Sequence, residues 1–335
     1  MDQPTTIYDV ARHCGLAAST VSRTFSHPSR VNPATREKVH AAAQEIGYTP
    51  RPLARAEAPG RTRTIMLVVT DISNPYYAPL MKAAQAHALE MDYTLALTDS
   101  DESPRVEVSN LRRLLATTSG AILATSRLSD DVIHQLAQHR ALVMVNREVE
   151  GIPSLVVDSA GAMRKAVRHL AAIGHQRIAY LSGPRNSWIN SERWRAVQEE
   201  ATVLDIAAEF LGPYTPNRQG GQEAADALML RRCSAAIAYN DLTAIGALTR
   251  LREAGVAIPA DFSLIGCDNI FGSDLTVPPL TTISGPTQRL GRSAVDTLHA
   301  QLTHRARAPE SLVFDAHLVT RGSTGPPSDM TTNGN

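Results

Sequence analysis

Polar side chains follow several apolar runs of this sequence, at the points where those runs end. They are Asn146 and Arg147 after ALVMV, Asn240 after AAIAY, and Asp268 after LIGC. Carboxylate, amide and guanidinium groups are planar and can hold a polar ligand through paired hydrogen bonds. Ligands of open α/β sheets bind beyond the carboxyl ends of the strands. If the apolar runs are parallel strands, these residues are candidates for a binding cleft.

Aromatic residues and a further arginine accompany this set. Tyr76 and Tyr77 lie in ISNPYY, after the first apolar run, and Arg193 lies in SERWR after an LSGP turn, with Trp188 just before it. Each candidate has a structural alternative as a strand-end cap or turn former, and Trp188 fits interlobe packing as well as a pocket wall. Asp241 is predicted to cap the helix that follows it.

The elements that must position these side chains alternate between apolar strands and amphipathic helices. The predicted strands are TIMLVVT, TLALT, GAILAT and ALVMVN, and then RIAYLS, AAIAYN and FSLIGC. The predicted helices cover 75–91, 104–116, 129–138, 159–173, 190–204, 219–230 and 241–254. This alternation predicts an α/β fold with parallel sheets and helices on both faces. Because it runs twice, we expect two lobes, with TTIS and a helix over 288–302 crossing back between them.

The amino-terminal stretch TIYDVARHCGLAASTVSR, residues 6–23, has the pattern of two short helices joined by a turn. Four apolar residues recur at helical spacing: Ile7, Val10, Ala11 and Cys14. Thr6 and Asp9 are spaced as a capping box, Gly15 ends the first helix, and a second is predicted over 17–25. This is helix-turn-helix geometry, whose second helix suits a DNA major groove, although many bundle domains contain such a pair.

A third helix and the local charge support a separate amino-terminal domain. Asn32 is predicted as the N-cap, Pro33 as the first helical residue and Gly47 as the stop. The whole chain has no net charge, but residues 1–63 hold nine Arg and Lys against five acids. This region is therefore +4 and the remainder −4, which suits a head that contacts phosphates on a body that stays off the duplex.

The sequence also argues against several function classes. Three cysteines, at positions 14, 233 and 267, show no metal-ligand spacing and are predicted to be buried thiols of a reducing cytoplasm. No export signal or membrane-length apolar run is found. No GxGxxG follows the first strand, and P-loop, HExxH and GxSxG motifs are missing. We therefore expect a cytoplasmic protein that is not an enzyme and needs no cofactor or metal.

Residues 6–50, TIYDVARHCGLAASTVSRTFSHPSRVNPATREKVHAAAQEIGYTP, resemble the headpiece of the LacI/GalR family of bacterial repressors. The resemblance covers about residues 5–322, and its other marks are ISNPYY, AAIGHQRIAYLSGP, YNDLTAIGAL, IPADFSLIGCDN and PPLTTI. It implies a headpiece over 1–50, a hinge over 51–63 and, over 64–322, a two-lobed effector domain built like a periplasmic sugar-binding protein. The polar, Pro- and Gly-rich tail over 323–335 is predicted to be disordered.

For the headpiece, the resemblance implies DNA contacts. Ala18, Ser19 and Arg23 would face base edges, and the guanidinium of Arg23 can bond guanine bidentately. Residues near helix starts that could hold phosphates, or merely cap, are Thr6, Ser22, Asn32 and Thr35.

In the hinge, the sequence departs from the family. Relatives push a leucine into the minor groove, but the matching position here is Glu57, and a carboxylate cannot act as an apolar wedge beside phosphates. Leu53 is the substitute available nearby.

For the body, the resemblance implies an interlobe pocket for a sugar, polyol or nucleoside. There Arg193, Asn240 and Asp268 would bond hydroxyls while an aromatic side chain stacks on the ring. The implied protein is a homodimeric repressor that binds a palindromic operator and whose DNA binding is controlled by this small-molecule effector. No leucine heptads follow the core, which favours a dimer over a tetramer. The alternatives are a sugar-binding transport component and a nicotinamide-dependent enzyme.

Replacement of Arg23 by alanine tests the predicted base contact. We expect Arg23→Ala to weaken operator binding by roughly 1 to 3 kcal/mol and to leave binding to random DNA nearly unchanged, because a base contact carries sequence information. Titrations of both DNAs with wild type and variant measure this. An equal loss on random DNA would show that Arg23 contacts only the backbone.

Overall fold

The structure is a computed structural model that describes residues 5–26, 30–48, 63–303 and 311–328. The chain separates into two compact units, Met1–Thr62 and Arg63–Asn335. The predicted hinge over 51–63 lies almost wholly outside the described residues, and so do Leu53 and Glu57. Each unit is described by itself below.

The first unit contains the predicted helix-turn-helix. Its helices are α1 Ile7–Cys14, α2 Ala18–Ser26 and α3 Pro33–Glu45. Asp9 accepts hydrogen bonds from the backbone N–H of Thr6 at 2.9 Å and from its hydroxyl at 2.6 Å, and Gly15 ends α1 at a φ of 65°. The Asn32 side chain caps α3 by accepting from the Ala34 N–H at 3.0 Å. These caps were predicted, and the helices pack on a small buried core of Val10, Val21 and Val39.

The second unit has two lobes, each built on one sheet. In the described residues the first sheet has the order β11-β5-β4-β3-β1-β2 and is parallel throughout. Its strands are β1 Thr64–Val69, β2 Thr94–Asp99, β3 Gly120–Ala124, β4 Ala141–Val145, β5 Ser154–Val157 and β11 Ser311–Phe314. Its helices are α4 Tyr77–Glu90, α5 Pro104–Leu114, α6 Asp130–Ala137 and α11 Thr287–Leu302. We call this part lobe 1.

Lobe 2 repeats the plan. Its sheet has the order β12-β10-β9-β8-β6-β7, with β12 antiparallel to β10. The strands are β6 Arg177–Leu181, β7 Ala207–Leu211, β8 Ala235–Ala238, β9 Ser263–Cys267, β10 Thr281–Ser284 and β12 His317–Val319. The helices are α7 Ser159–Ala172, α8 Trp188–Val203, α9 Arg218–Leu228 and α10 Asp241–Glu253.

The α/β fold and the crossing between the lobes are therefore confirmed. The chain passes from lobe 1 to lobe 2 after β5, returns between β10 and α11, and crosses again between β11 and β12. The apolar runs became strands because helices cover both faces of each sheet, and residues 65–69 of β1 are buried. The strands that the sequence analysis missed are β5, β7, β11 and β12, which have three to five residues each.

The prediction of a disordered tail from residue 323 is wrong for residues 323–328, whereas 329–335 lie outside the described residues. Ser323 is fully buried. Its hydroxyl accepts from the Thr281 N–H at 2.8 Å and bonds the carbonyl of Leu264, whose N–H donates to the Ser323 carbonyl at 2.8 Å. Polar composition did not prevent packing because the lobe 2 backbone pairs with this segment.

Among the described helices, none is long and apolar enough to cross a membrane.

Replacement of Ser323 by alanine should destabilise the second unit. The variant leaves the buried Thr281 N–H without its acceptor and the Leu264 carbonyl without its donor, so we expect the free energy of unfolding to fall by about 1 to 3 kcal/mol. Urea unfolding of the full chain measures this. Ser109→Ala, at an exposed position of α5, is the control and should change stability little. If both variants unfold alike, the buried hydroxyl contributes nothing to stability.

Candidate functional site: the cleft between the lobes

The described residues of the two lobes enclose two adjoining cavities at the carboxyl ends of the strands. Their interior volumes are about 20 Å³ and 30 Å³, and about 300 Å³ and 380 Å³ when all the space between the lining atoms and the part that opens to solvent is included. The residues that line both are Tyr76, Asn146, Ile189, Arg193 and Asp268. The structure thus brings four of the predicted effector-site residues together. Two more, Tyr77 and Asn240, line the larger cavity only.

The centre of the cleft is a buried ion pair between α8 and the end of β9. Nη2 of Arg193 lies 3.6 Å from Oδ1 of Asp268, and their side chains are only 9% and 10% exposed. Nη1 of Arg193 donates to the Tyr239 carbonyl at 2.5 Å, and Nε donates to the Ser159 hydroxyl at 3.3 Å. These bonds fix the guanidinium plane, so its edge is held in one orientation toward the cavity.

Burial makes the carboxyl group of Asp268 a weaker acid than usual. Loss of water raises the pKa of Asp268 to about 7, although the neighbouring Arg193 acts in the opposite direction. Near neutral pH this carboxyl group can therefore either accept or donate a hydrogen bond. Burial also raises the pKa values of Tyr76 and Tyr77, so both phenols stay neutral.

The lobe 1 wall of the cleft is a set of coupled hydroxyl and amide groups. Asn146 donates from Nδ2 to the Tyr76 hydroxyl at 2.6 Å and accepts from the Val157 N–H at 3.2 Å. The Tyr77 hydroxyl bonds Thr70 at 2.7 Å and also bonds the hydroxyl of Thr125. The two tyrosine rings meet edge to face at 5.2 Å. These bonds hold the side chains of this wall in fixed positions.

The residues at the far end of the larger cavity were not predicted from the sequence. Arg127 of lobe 1 bonds Glu102 there, and its Nη2 donates to the hydroxyl of Tyr239 from lobe 2 at 3.4 Å. The Tyr239 ring packs so closely on Gly183 that a Cβ at that position would lie 2.5 Å from it. Glu102 and Arg127 each lie three residues beyond a strand. This position near a strand end is the sequence feature by which they could have been identified as cavity residues.

Two predictions concern the start of α10. Asn240, predicted to bond a ligand, lines the larger cavity and also caps α10: its Oδ1 accepts from the Thr243 N–H at 2.8 Å, and one N–H of its Nδ2 donates to the Pro216 carbonyl at 2.9 Å. Its role toward a ligand stays a prediction. Asp241, predicted to be the cap, instead accepts from the Thr282 hydroxyl at 2.5 Å, and burial raises its pKa to about 6.

Two other predicted residues do not line either cavity. Arg147 turns away from the cleft, donating to the Ser126 carbonyl at 2.9 Å and pairing with Asp130 at 2.6 Å. Arg147 therefore stabilises the loop before α6 and does not face the cavities. Trp188 is half-buried at the start of α8, and its neighbour Ile189 faces the cavities in its place. Successive residues of a helix point about 100° apart, and this rotation decides which of them lines the cleft.

Comparisons with known proteins decide the family. Residues 6–51 match the family described as bacterial regulatory proteins, lacI family, and residues 167–324 match the periplasmic binding protein-like domain. The transcriptional regulator DegA of Bacillus subtilis is 32% identical over 96% of this chain and 98% of its own length. The chain belongs to the LacI family. The repressor CytR of Escherichia coli K12 is 30% identical over 95% of this chain and 96% of its own length.

Solved structures of LacI-family proteins agree. The Lac repressor dimer bound to operator and the anti-inducer ONPF is similar, with a TM-score of 0.80 and 27% identity, and the match covers 96% of this chain and 100% of that one. A LacI-family regulator of Enterococcus faecium with bound ribose has a TM-score of 0.70 and 29% identity over 78% of this chain and 99% of that one. This chain is therefore a transcriptional regulator with a DNA-binding helix-turn-helix, as the sequence predicted.

The headpiece of this LacI-family regulator places its DNA candidates unequally. Ser19 and Arg23 are exposed on α2, whereas Ala18 is partly buried against the core. The side chains of Thr6 and Asn32 take part in the helix caps described above, which is the alternative to phosphate binding given for them. The remaining candidates, Ser22 and Thr35, are partly buried. The role of each residue in DNA binding stays a prediction.

The raised pKa of Asp268 predicts a pH dependence of stability. A carboxyl group with an ordinary pKa of 3.8 and a folded pKa of about 7 binds more protons in the folded chain. Its contribution to the free energy of unfolding is therefore complete below about pH 4 and is lost as the pH rises through about 7. We expect Asp268→Asn to lose less stability than wild type between pH 5 and pH 8.

Urea unfolding at both pH values measures this difference. Burial lowers the pKa values of His169 and His175, which act in the opposite direction but equally in both proteins. Identical pH dependence of variant and wild type would contradict the prediction.

Proposed function

We propose that this regulator is a repressor whose effector is a neutral, hydroxyl-rich metabolite bound between the lobes. The observation that carries the proposal is the buried Arg193–Asp268 pair, which lines both cavities together with Tyr76 and Asn146. When Asp268 is ionised, the pair has no net charge and presents a donor edge beside an acceptor. Adjacent hydroxyls of a sugar, polyol or nucleoside match such an edge.

The surroundings of the pair fit the same ligand class. Tyr76 lines both cavities, and an aromatic ring can pack against the C–H side of a sugar ring while the polar groups beside it bond the hydroxyls. Similar proteins in solved structures bind sugars: the Enterococcus faecium regulator holds ribose, and the regulator CelR, 26% identical with a TM-score of 0.70, holds cellobiose.

The location between lobes gives the ligand a way to act. Contacts such as Arg127 to Tyr239 join lobe 1 to lobe 2 across the cavity, so a bound molecule touches both. A ligand changes DNA affinity only if it binds one arrangement of the protein better than another. We infer that the effector does so by favouring one degree of lobe closure.

We further propose that the protein acts as a homodimer on a palindromic operator in the cytoplasm and catalyses no reaction. The similar Lac repressor structure is a dimer on its operator, and symmetric dimers match palindromic sites. DegA and CytR are transcriptional regulators as well.

Replacement of Arg193 by alanine tests the site. We expect Arg193→Ala to bind DNA from the promoter region of its own gene as wild type does but to stop responding to the effector, because the donor edge is lost. Fluorescence anisotropy of labelled promoter DNA measures this, with and without pentoses, hexoses, polyols and nucleosides. Arg177→Ala is the control, because it removes an arginine that pairs with Glu209 at the start of β6, outside the cavity linings.

The outcomes separate the parts of the proposal. An Arg193→Ala protein that still responds shows that the site is misplaced. A wild-type protein whose DNA binding is changed by none of these compounds contradicts the proposed effector class.

A further inference from the structure

A second carboxylate–guanidinium pair lies at the lobe 1 end of the larger cavity. Nε of Arg127 donates to Oε2 of Glu102 at 2.6 Å, and Nη1 donates to the Thr125 carbonyl at 3.0 Å. The side chains of Arg127 and Glu102 are 2% and 23% exposed. Both residues line the cavity, and neither pairs with Arg193 or Asp268.

Burial of this ion pair costs desolvation free energy, which a purely structural role would not require. Two charges taken out of water lose more solvation than their attraction returns unless further hydrogen bonds complete them. Within the described residues, Nη2 of Arg127 makes one hydrogen bond, at 3.4 Å to the Tyr239 hydroxyl, which exceeds the usual N–H to O range. This nitrogen therefore has hydrogen-bonding capacity toward the cavity.

The carboxylate residue of each pair has a positive φ angle. Glu102 and Thr125 both have a φ of 54°, in the left-handed region that side chains rarely adopt. Asn146 at 55° and Asp268 at 117° share this property, and all four line the cavities. Positive φ at residues other than glycine is strained and concentrates at ligand clamps.

Tyr239 connects the two pairs. Cζ of Arg193 lies 5.2 Å from the centre of its ring, and its hydroxyl meets Arg127. One carboxylate and one guanidinium therefore face the ligand space from each lobe. Because each pair balances its own charge when its carboxyl group is ionised, a ligand that carries a net charge would leave one member of a pair facing a like charge in a poorly solvated site.

We propose that Glu102 and Arg127 form the lobe 1 half of the effector site and select an uncharged ligand whose hydroxyls reach away from Arg193 and Asp268. The carboxylate accepts from one hydroxyl and the guanidinium donates to its neighbour. The ligand thereby joins lobe 1 to lobe 2 through two matched pairs. This inference rests on the effector site proposed above and adds the residues that read the far end of the ligand.

Ligand binding to full-length variants tests the inference. The probes are D-ribose, D-galactose and D-glucose, each beside a charged counterpart: D-ribose 5-phosphate, D-galacturonate and D-glucuronate. Thermal melting identifies the neutral sugar that stabilises the wild type, because ligand stabilisation grows with concentration over Kd. Calorimetric titration then gives its Kd. We expect each charged counterpart to bind the wild type more weakly than its neutral sugar.

Glu102→Gln keeps the shape of the side chain and removes its charge, and Arg127→Lys keeps the charge and removes the planar fork. We expect each to weaken binding of the neutral sugar by about tenfold or more. Glu102→Gln should also shift preference toward the charged counterpart, because Arg127 loses its counterion. Glu209→Gln, which removes the partner of Arg177 outside the cavity linings, is the matched control and should stay within about twofold of wild type.

Melting of the variants without ligand shows whether they fold. If both variants fold and bind the neutral sugar as Glu209→Gln does, the inference is overturned while the central site stands. If Asp268→Asn also binds unchanged, the proposed site itself is wrong. If no probe binds the wild type, the inference is overturned, whereas the effector class proposed above, which also includes polyols and nucleosides, is decided by the DNA-binding measurements. A wild type that prefers a charged counterpart overturns the selection of uncharged ligands.

Discussion

The buried guanidinium of Arg193 is the interaction on which the cleft depends. Taken out of water without partners, such a charge would cost several kcal/mol, so a carbonyl, a hydroxyl and a carboxylate must converge on it. Tyr239, Ser159 and Asp268 supply them from the ends of β8 and β9 and from the start of α7. The parallel order of the sheet brings these ends to one edge. The fold and the binding chemistry are therefore set by the same constraint.

Much of this arrangement could be predicted because burial on both faces leaves a strong sequence signature. The strands of continuous apolar residues were found, and the rule that ligands bind beyond strand ends led to Tyr76, Asn146 and Asp268. The missed strands are short. One of them, β7, has the sequence AAEFL, which includes a glutamate, and lies at the edge of its sheet. Their pairing depends on the neighbouring strand, which a local pattern does not contain.

The errors within the site arise where one residue decides the direction of the next. Asn146 has a positive φ, which turns the chain so that Arg147 points to the loop before α6 instead of the cleft. The cap predicted at Asp241 is formed by Asn240, one residue earlier, and Asp241 is a buried acid that accepts from Thr282. Glu102 and Arg127, each three residues beyond a strand, were not among the residues that the sequence analysis selected. Side-chain direction is a property of three-dimensional geometry, and residue type alone did not supply it.

The segments that cross between the lobes make each lobe discontinuous along the chain. Lobe 1 begins at β1 but needs α11, which packs against α4, and β11, which completes the sheet beside β5. On the ribosome, its first five strands emerge while their remaining partners are still about 130 codons away. Lobe 1 therefore completes its fold only when synthesis is nearly finished, and lobe 2, which closes with β12, completes at almost the same moment.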